Sequence, residues 1–74
     1  MRPLRVLIVD DSAVNRRTLT ELLGQMAGVT VVGAAQDGDE ALRCAAALAP
    51  DLITLDLEMP RMDGFTFLRL LMAS

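Results

Sequence analysis

Three observations place this chain in the α/β class, with a doubly wound parallel sheet. Strand-like and helix-like stretches alternate without a break from Leu4 to Ala73. The strand-like stretches LRVLIV, VTVVGA and DLITL are rich in β-branched and aliphatic residues on both alternate positions, as strands covered on both faces are. The stretches between them carry apolar residues at helical spacing, so each strand reaches the next through a helical crossover. That is the connection parallel strands require.

The first strand runs from Leu4 to Val9 and ends at Asp10-Asp11. Ser12 can cap a helix extending to about Met26, because a serine oxygen accepts one of the unpaired N–H groups of a first turn. Leu19, Leu22, Leu23 and Met26 fall at i, i+3, i+4 and i+7 of that segment, while Arg16, Arg17, Thr20 and Glu21 take other faces. Gly28 ends it, and Val29 to Ala34 is the second strand. Asp37 stands three residues before Glu40, a helix start of the capping-box type. The helix continues through Ala41, Leu42, Ala45 and Leu48 and must stop near Ala49-Pro50, since proline removes a donor and disfavours helix in the residue before it. Asp51 to Leu55 is the third strand. A Met59-Pro60 turn and Asp63-Gly64 then lead into a third helix, Phe65 to about Ala73. The expected order is β-α-β-α-β-α, with no repeat, linker or low-complexity segment. No strand follows the third helix, so the sequence reads as cut.

Size and composition narrow the functions available. With 74 residues there is room for one small domain, and a chain this short buries only about 60% of the surface it exposes when unfolded. An apolar content of 53% and a mean hydropathy of +0.41 are high for such a domain and imply surface meant to be covered. The apolar runs are far shorter than the ~20 residues of a membrane span, and the N-terminus is not a signal peptide. Cys44 is the single cysteine; it suits a reducing cytoplasm and reads as a small buried hydrophobe beside Ala41, Ala45 and Leu48. The net charge is −3, with no histidine, and all seven basic residues are arginine. No basic stripe exists for a nucleic-acid backbone. Without lysine or histidine, whatever chemistry occurs must run on carboxylates.

Those carboxylates fall at matching places. In a doubly wound sheet the C-terminal ends of all strands share one rim, where ligands bind. Asp10 and Asp11 end the first strand, Asp56 ends the third, and Glu58 lies two residues on. If the first and third strands are neighbours, three acids meet in one small volume. Like charges so close oppose their own ionisation, and a divalent cation relieves the repulsion. With neither histidine nor thiolate on this rim, a hard cation with oxygen ligands is favoured, magnesium first and manganese second. A carboxylate held beside such a cation can act as a nucleophile toward a phosphoryl group. Asp56 is the best candidate, because it ends an apolar strand. An Asp pair after a strand is often no more than a capping region, and a lone acid after a strand is often a turn residue; it is the two features together that point to chemistry. Asp37, Asp39, Asp51 and Asp63 are read as caps and turn residues.

The segments VLIVDDSA and LITLDLEMPRMDGF, taken together, resemble the receiver domain of two-component response regulators. Within that family TLDLEMPRMDGFTFLRLLM is most similar to the N-terminal receiver of the chemotaxis protein-glutamate methylesterase, with Glu58 and the following MPRMDG as the markers; Asn15 departs from the methionine frequent there. The resemblance implies a flavodoxin-like sheet with strand order 2-1-3, of which residues 1–74 form the N-terminal portion. It also implies that Asp56 accepts phosphate from a histidine kinase, that Asp11 and Asp56 bind magnesium directly, that Asp10 holds it through water, and that Glu58 offers its backbone carbonyl. A downstream output domain and a cytoplasmic location follow, with neither nucleic-acid nor membrane contact by this segment.

The family's strand-four hydroxyl and strand-five lysine have no counterpart in these residues. The segment alone is therefore expected to hold magnesium but not to complete the switch, and to self-associate through the open edge of its third strand. The alternatives are the receiver of a stand-alone or DNA-binding regulator, and a non-phosphorylated interaction module on the same scaffold. An aspartyl-phosphate phosphatase is disfavoured because Glu58 stands where those enzymes carry aspartate. A dinucleotide-binding reading fails because Asp-Asp-Ser, not a glycine-rich turn, follows the first strand.

Overall fold

In the computed structural model, which describes residues 2–55, three parallel strands and two crossover helices follow one another in the expected order. They are β1 (Leu4–Val9), α1 (Ala13–Gly24), β2 (Val29–Ala35), α2 (Gly38–Leu48) and β3 (Leu52–Leu55). The sheet order is β2-β1-β3, so β1 is central and both β2 and β3 run parallel to it. The turn at Met59-Pro60, the Asp63-Gly64 pair and the expected third helix, like Asp56 and Glu58, lie outside the described residues.

The central strand holds the core. Val6, Leu7, Ile8 and Val9 are each no more than 1% exposed, which explains why LRVLIV shows no polar alternation: both of its faces are covered. Leu7 and Val9 point to the α2 side, where they cluster with Ala35 and Ala41 and with the partly buried Leu42, Cys44, Ala45, Ile53 and Leu55. Cys44 is thus a half-buried member of the apolar packing, as its sequence neighbours suggested. The strands on either side are less covered. In β3, Leu52 is 48% exposed.

Element ends follow local chemistry. Ser12 Oγ accepts the Asn15 N–H at 3.2 Å and caps α1; Asp37 Oδ1 accepts the Glu40 N–H at 2.9 Å and caps α2. The first helix stops two residues sooner than its apolar spacing suggested, with Gln25 as C-cap. Gly28 then turns the chain at φ +79, a left-handed conformation that glycine adopts without penalty. Of the expected apolar stripe, Leu19 and Leu23 are half-buried while Leu22 and Met26 stand in solvent, and no residue of α1 is buried. The periodicity was a sound sign of helix, but it did not say how much of the stripe meets the sheet.

One irregularity lies in β2. Val6 pairs with Val31 and Leu7 with Gly33, so Val32 is the extra residue of a bulge. At Gly33 an added Cβ would sit 2.9 Å from Leu48 Cδ1 and 3.4 Å from Leu7 Cδ1. The glycine lets the end of α2 close onto the sheet there.

Candidate functional site

The C-terminal ends of the strands form the rim. Asp10 follows Val9 directly, and its N–H donates to the Ala35 carbonyl of β2 at 3.0 Å. On the other flank Val9 pairs with Leu55, the last described residue of β3. Asp10 therefore stands between the ends of its two neighbouring strands, and Asp56 is the residue that follows Leu55 in the chain.

Asp10 is only 7% exposed, a costly position for a carboxylate without compensation. Its Oδ1 accepts the Ser12 N–H at 2.9 Å. The start of α1 adds the positive end of a helix dipole close by. From the other side, Arg16 Nη1 donates to the Asp10 carbonyl oxygen at 2.8 Å, and Arg16 N–H donates to the Ser12 carbonyl at 2.9 Å. The β1–α1 turn is thus tied at both ends of Asp10. Asp11, next along, is exposed at the rim.

From the sequence, Arg16 takes a face other than that of Leu19, Leu22, Leu23 and Met26, yet it is half-buried like Leu19 and Leu23, three and seven residues on, and reaches back over the turn. Side chains of a first helical turn lean toward the helix N-terminus, so a long arginine at the fourth helical position can touch the strand end. Its spacing of three and seven residues from Leu19 and Leu23 was the available sequence signal. Asp51, a turn residue by its place in the sequence, accepts Arg5 N–H at 2.9 Å and an Arg2 guanidinium N–H at 2.7 Å. The Arg5 amide, with Arg2 and Arg5 adding their charges, holds its carboxyl below the usual carboxylate value. This second cluster is at the opposite end of the strands from the rim.

Of the four expected site residues, the described region thus contains Asp10 and Asp11, while Asp56 and Glu58 lie outside it. Among the described residues no group of three acids, histidines or cysteines is close enough to hold a metal. The donors present on the rim are oxygen atoms, with no histidine in the chain and Cys44 packed against the core. Their chemistry fits a hard divalent cation and not a zinc-type site.

Residues 6–74 match the sequence model of the response regulator receiver domain. The chain belongs to that family. Its receiver is 57% identical over 72 residues to protein-glutamate methylesterase/protein-glutamine glutaminase 3 of Geobacter sulfurreducens, covering 97% of this chain and 19% of that protein. It is 60% identical over 72 residues to protein-glutamate methylesterase/protein-glutamine glutaminase 6 of Anaeromyxobacter dehalogenans, covering 97% and 21%. The chain spans about a fifth of the length of these relatives.

Among solved structures, the response regulator domain of Thermotoga maritima CheB superposes on this receiver with a TM-score of 0.93 at 46% identity, covering 97% of this chain and 54% of that one. The CheX-CheY-BeF3-Mg+2 complex from Borrelia burgdorferi contains a chain that superposes at 0.86 with 38% identity, covering 97% and 55%. The receiver is thus most like that of the chemotaxis methylesterases. No helix among the described residues is long and apolar enough to cross a membrane.

Proposed function

We propose that this chain is the N-terminal portion of a receiver that takes a phosphoryl group on Asp56, with magnesium as the required cation. The observation that carries this reading is the register of the rim. Val9 pairs with Leu55, Asp10 follows the first and Asp56 the second. Val9 and Leu55, the residues from which the two acidic segments continue, are thus partners on one edge of the sheet.

In the transfer, an Asp56 carboxylate oxygen forms a bond to phosphorus as the bond from phosphorus to the donor's imidazole nitrogen breaks. The leaving imidazole takes up a proton from solvent. Asp11 and Asp56 would hold magnesium directly, Asp10 through water, and Glu58 through its backbone carbonyl. Once bound, the cation would neutralise charge on the transferring oxygens, and positioning would supply most of the remainder. Asp10 is held in place for this role by Ser12 and Arg16.

The donor in this reading is a histidine kinase, and the site of action is the cytoplasm. The output is a protein-glutamate methylesterase domain, in keeping with the relatives. With no lysine among its residues, the chain by itself is proposed to bind the cation and to transfer phosphoryl slowly. Titration with MgCl2, followed through the amide NMR signals of Asp10, Asp11 and Ser12, tests the reading. Saturable shifts at micromolar to millimolar magnesium, lost in Asp56→Asn, are expected. Equal shifts in Asp56→Asn would overturn it.

A further inference from the structure

The second cluster, at the far end of the strands, bears on the same site. We propose that Asp51 is a positioning residue for the phosphoacceptor: it fixes the register of β3 on β1, and with it the partner that Leu55, the residue before Asp56 in the chain, takes on β1. The proposal rests on the phosphoacceptor reading above.

Register in β3 needs such a device. The strand has four residues and, among the described residues, pairs with β1 alone. Leu52 is about half exposed, and Ile53 and Leu55 are only half-buried. Among the described residues the buried Thr54 Oγ1 has no hydrogen-bond partner, so none of them selects the register through that hydroxyl. A slip of one residue would move β3 by about 3.3 Å and turn Ile53 and Leu55 to the opposite face.

Asp51 opposes such a slip through the main chain of Arg5. Its N–H donates to the Arg5 carbonyl at 2.8 Å, and its Oδ2 accepts the Arg5 N–H at 2.9 Å. Neither neighbour can take its place. Pro50 has no N–H to give, and Leu52 has no side-chain acceptor. A slip in either direction leaves a main-chain group of Arg5 without this partner; at this exposed end of the sheet water can replace it, so the preference for the register is the modest net value of the bonds lost. The Arg5 side chain strengthens the clasp, since its Nη1 donates to the Ala49 carbonyl at 2.8 Å and holds the turn entering β3. The Arg2 ion pair adds little, because Arg2 is 71% exposed and exposed pairs are weak.

Magnesium binding by the 74-residue chain, measured by isothermal titration calorimetry with circular dichroism as a check on folding, tests this. Asp51→Ala is expected to weaken binding about 10-fold, the scale seen when support behind metal ligands is removed. Asp51→Asn keeps an acceptor for Arg5 N–H and should stay close to the parent, as should Arg2→Met. Amide hydrogen exchange at Arg5 should quicken in Asp51→Ala and not in Arg2→Met. If Asp51→Ala does not fold, Asp51→Glu, with its carboxylate displaced by one methylene, serves in its place. A folded Asp51→Ala with parental affinity would overturn the positioning role alone. A parent chain that binds no magnesium, or an Asp56→Asn chain that binds as well as the parent, would overturn the phosphoacceptor reading and this inference with it.

Discussion

Replacing Leu7 by alanine removes three carbon atoms from the centre of the sheet. Leu7 is 0% exposed and packs in the cluster that joins β1 to α2 and β3. At about 0.8 kcal/mol for each buried carbon, the transfer loss is about 2.4 kcal/mol. The cavity adds to this, since the neighbours cannot close it: Gly33 has no side chain to move in, and Val9, Ala35 and Ala41 are themselves buried. Among the described residues, the partly buried neighbours Leu42, Ile53 and Leu55 and the end of Leu48 can relax into it only in part. The total is about 3–4 kcal/mol, inside the range for buried leucines. A chain of 74 residues has a stability of about 4–11 kcal/mol at typical values per residue, so most of a weak fold would be lost. Urea unfolding followed by circular dichroism, with m held common to both proteins, measures the difference. A loss below about 1 kcal/mol would refute the close packing of Leu7 described above.

Three further outcomes are expected. Asp37→Ala removes the oxygen that accepts Glu40 N–H and should cost about 1–2 kcal/mol in the same assay, with Asp37→Ser recovering most of it. The Asp51 carboxyl is held below its ordinary value in the folded chain, so its stabilisation is present above the unfolded-state value and is lost as pH falls through the folded one. Asp51→Asn should therefore flatten the decline in stability below about pH 4 and leave its slope near neutrality unchanged. Among the described residues β3 pairs with β1 alone, and we propose that its other edge pairs with a second copy; sedimentation should give a dimer, and a folded monomer of 8.0 kDa would count against this pairing.

The sequence made the alternation of elements plain because each one carried its own signal. The capping oxygens of Ser12 and Asp37 acted where their spacing placed them, and the both-sided apolarity of LRVLIV matched a central strand covered on each face. The neighbour relation of β1 and β3 was less legible, since no local pattern states which strands pair. It was an assumption of the carboxylate argument, and the sheet order supports it.

What escaped was long-range or fell outside the stripe as traced. The contact from Asp51 to Arg5 joins residues 46 apart, and nothing near Asp51 marks it as more than a turn acid. Arg16 was misplaced because the apolar stripe was traced from Leu19 onward, although Arg16, three residues before Leu19 and seven before Leu23, shares their half-buried face. The bulge at Val32 left no sign beyond the adjacent glycine.

The most direct measurement is of the phosphoryl group itself. The chain would be incubated with acetyl phosphate and magnesium chloride, treated with borohydride to trap acyl phosphate, and digested with trypsin. Mass spectrometry should find the trapped product on the peptide from Cys44 to Arg61, at Asp56, dependent on magnesium and absent from Asp56→Asn. Modification on another residue, or the same yield without magnesium, would contradict a magnesium-dependent phosphoacceptor at Asp56.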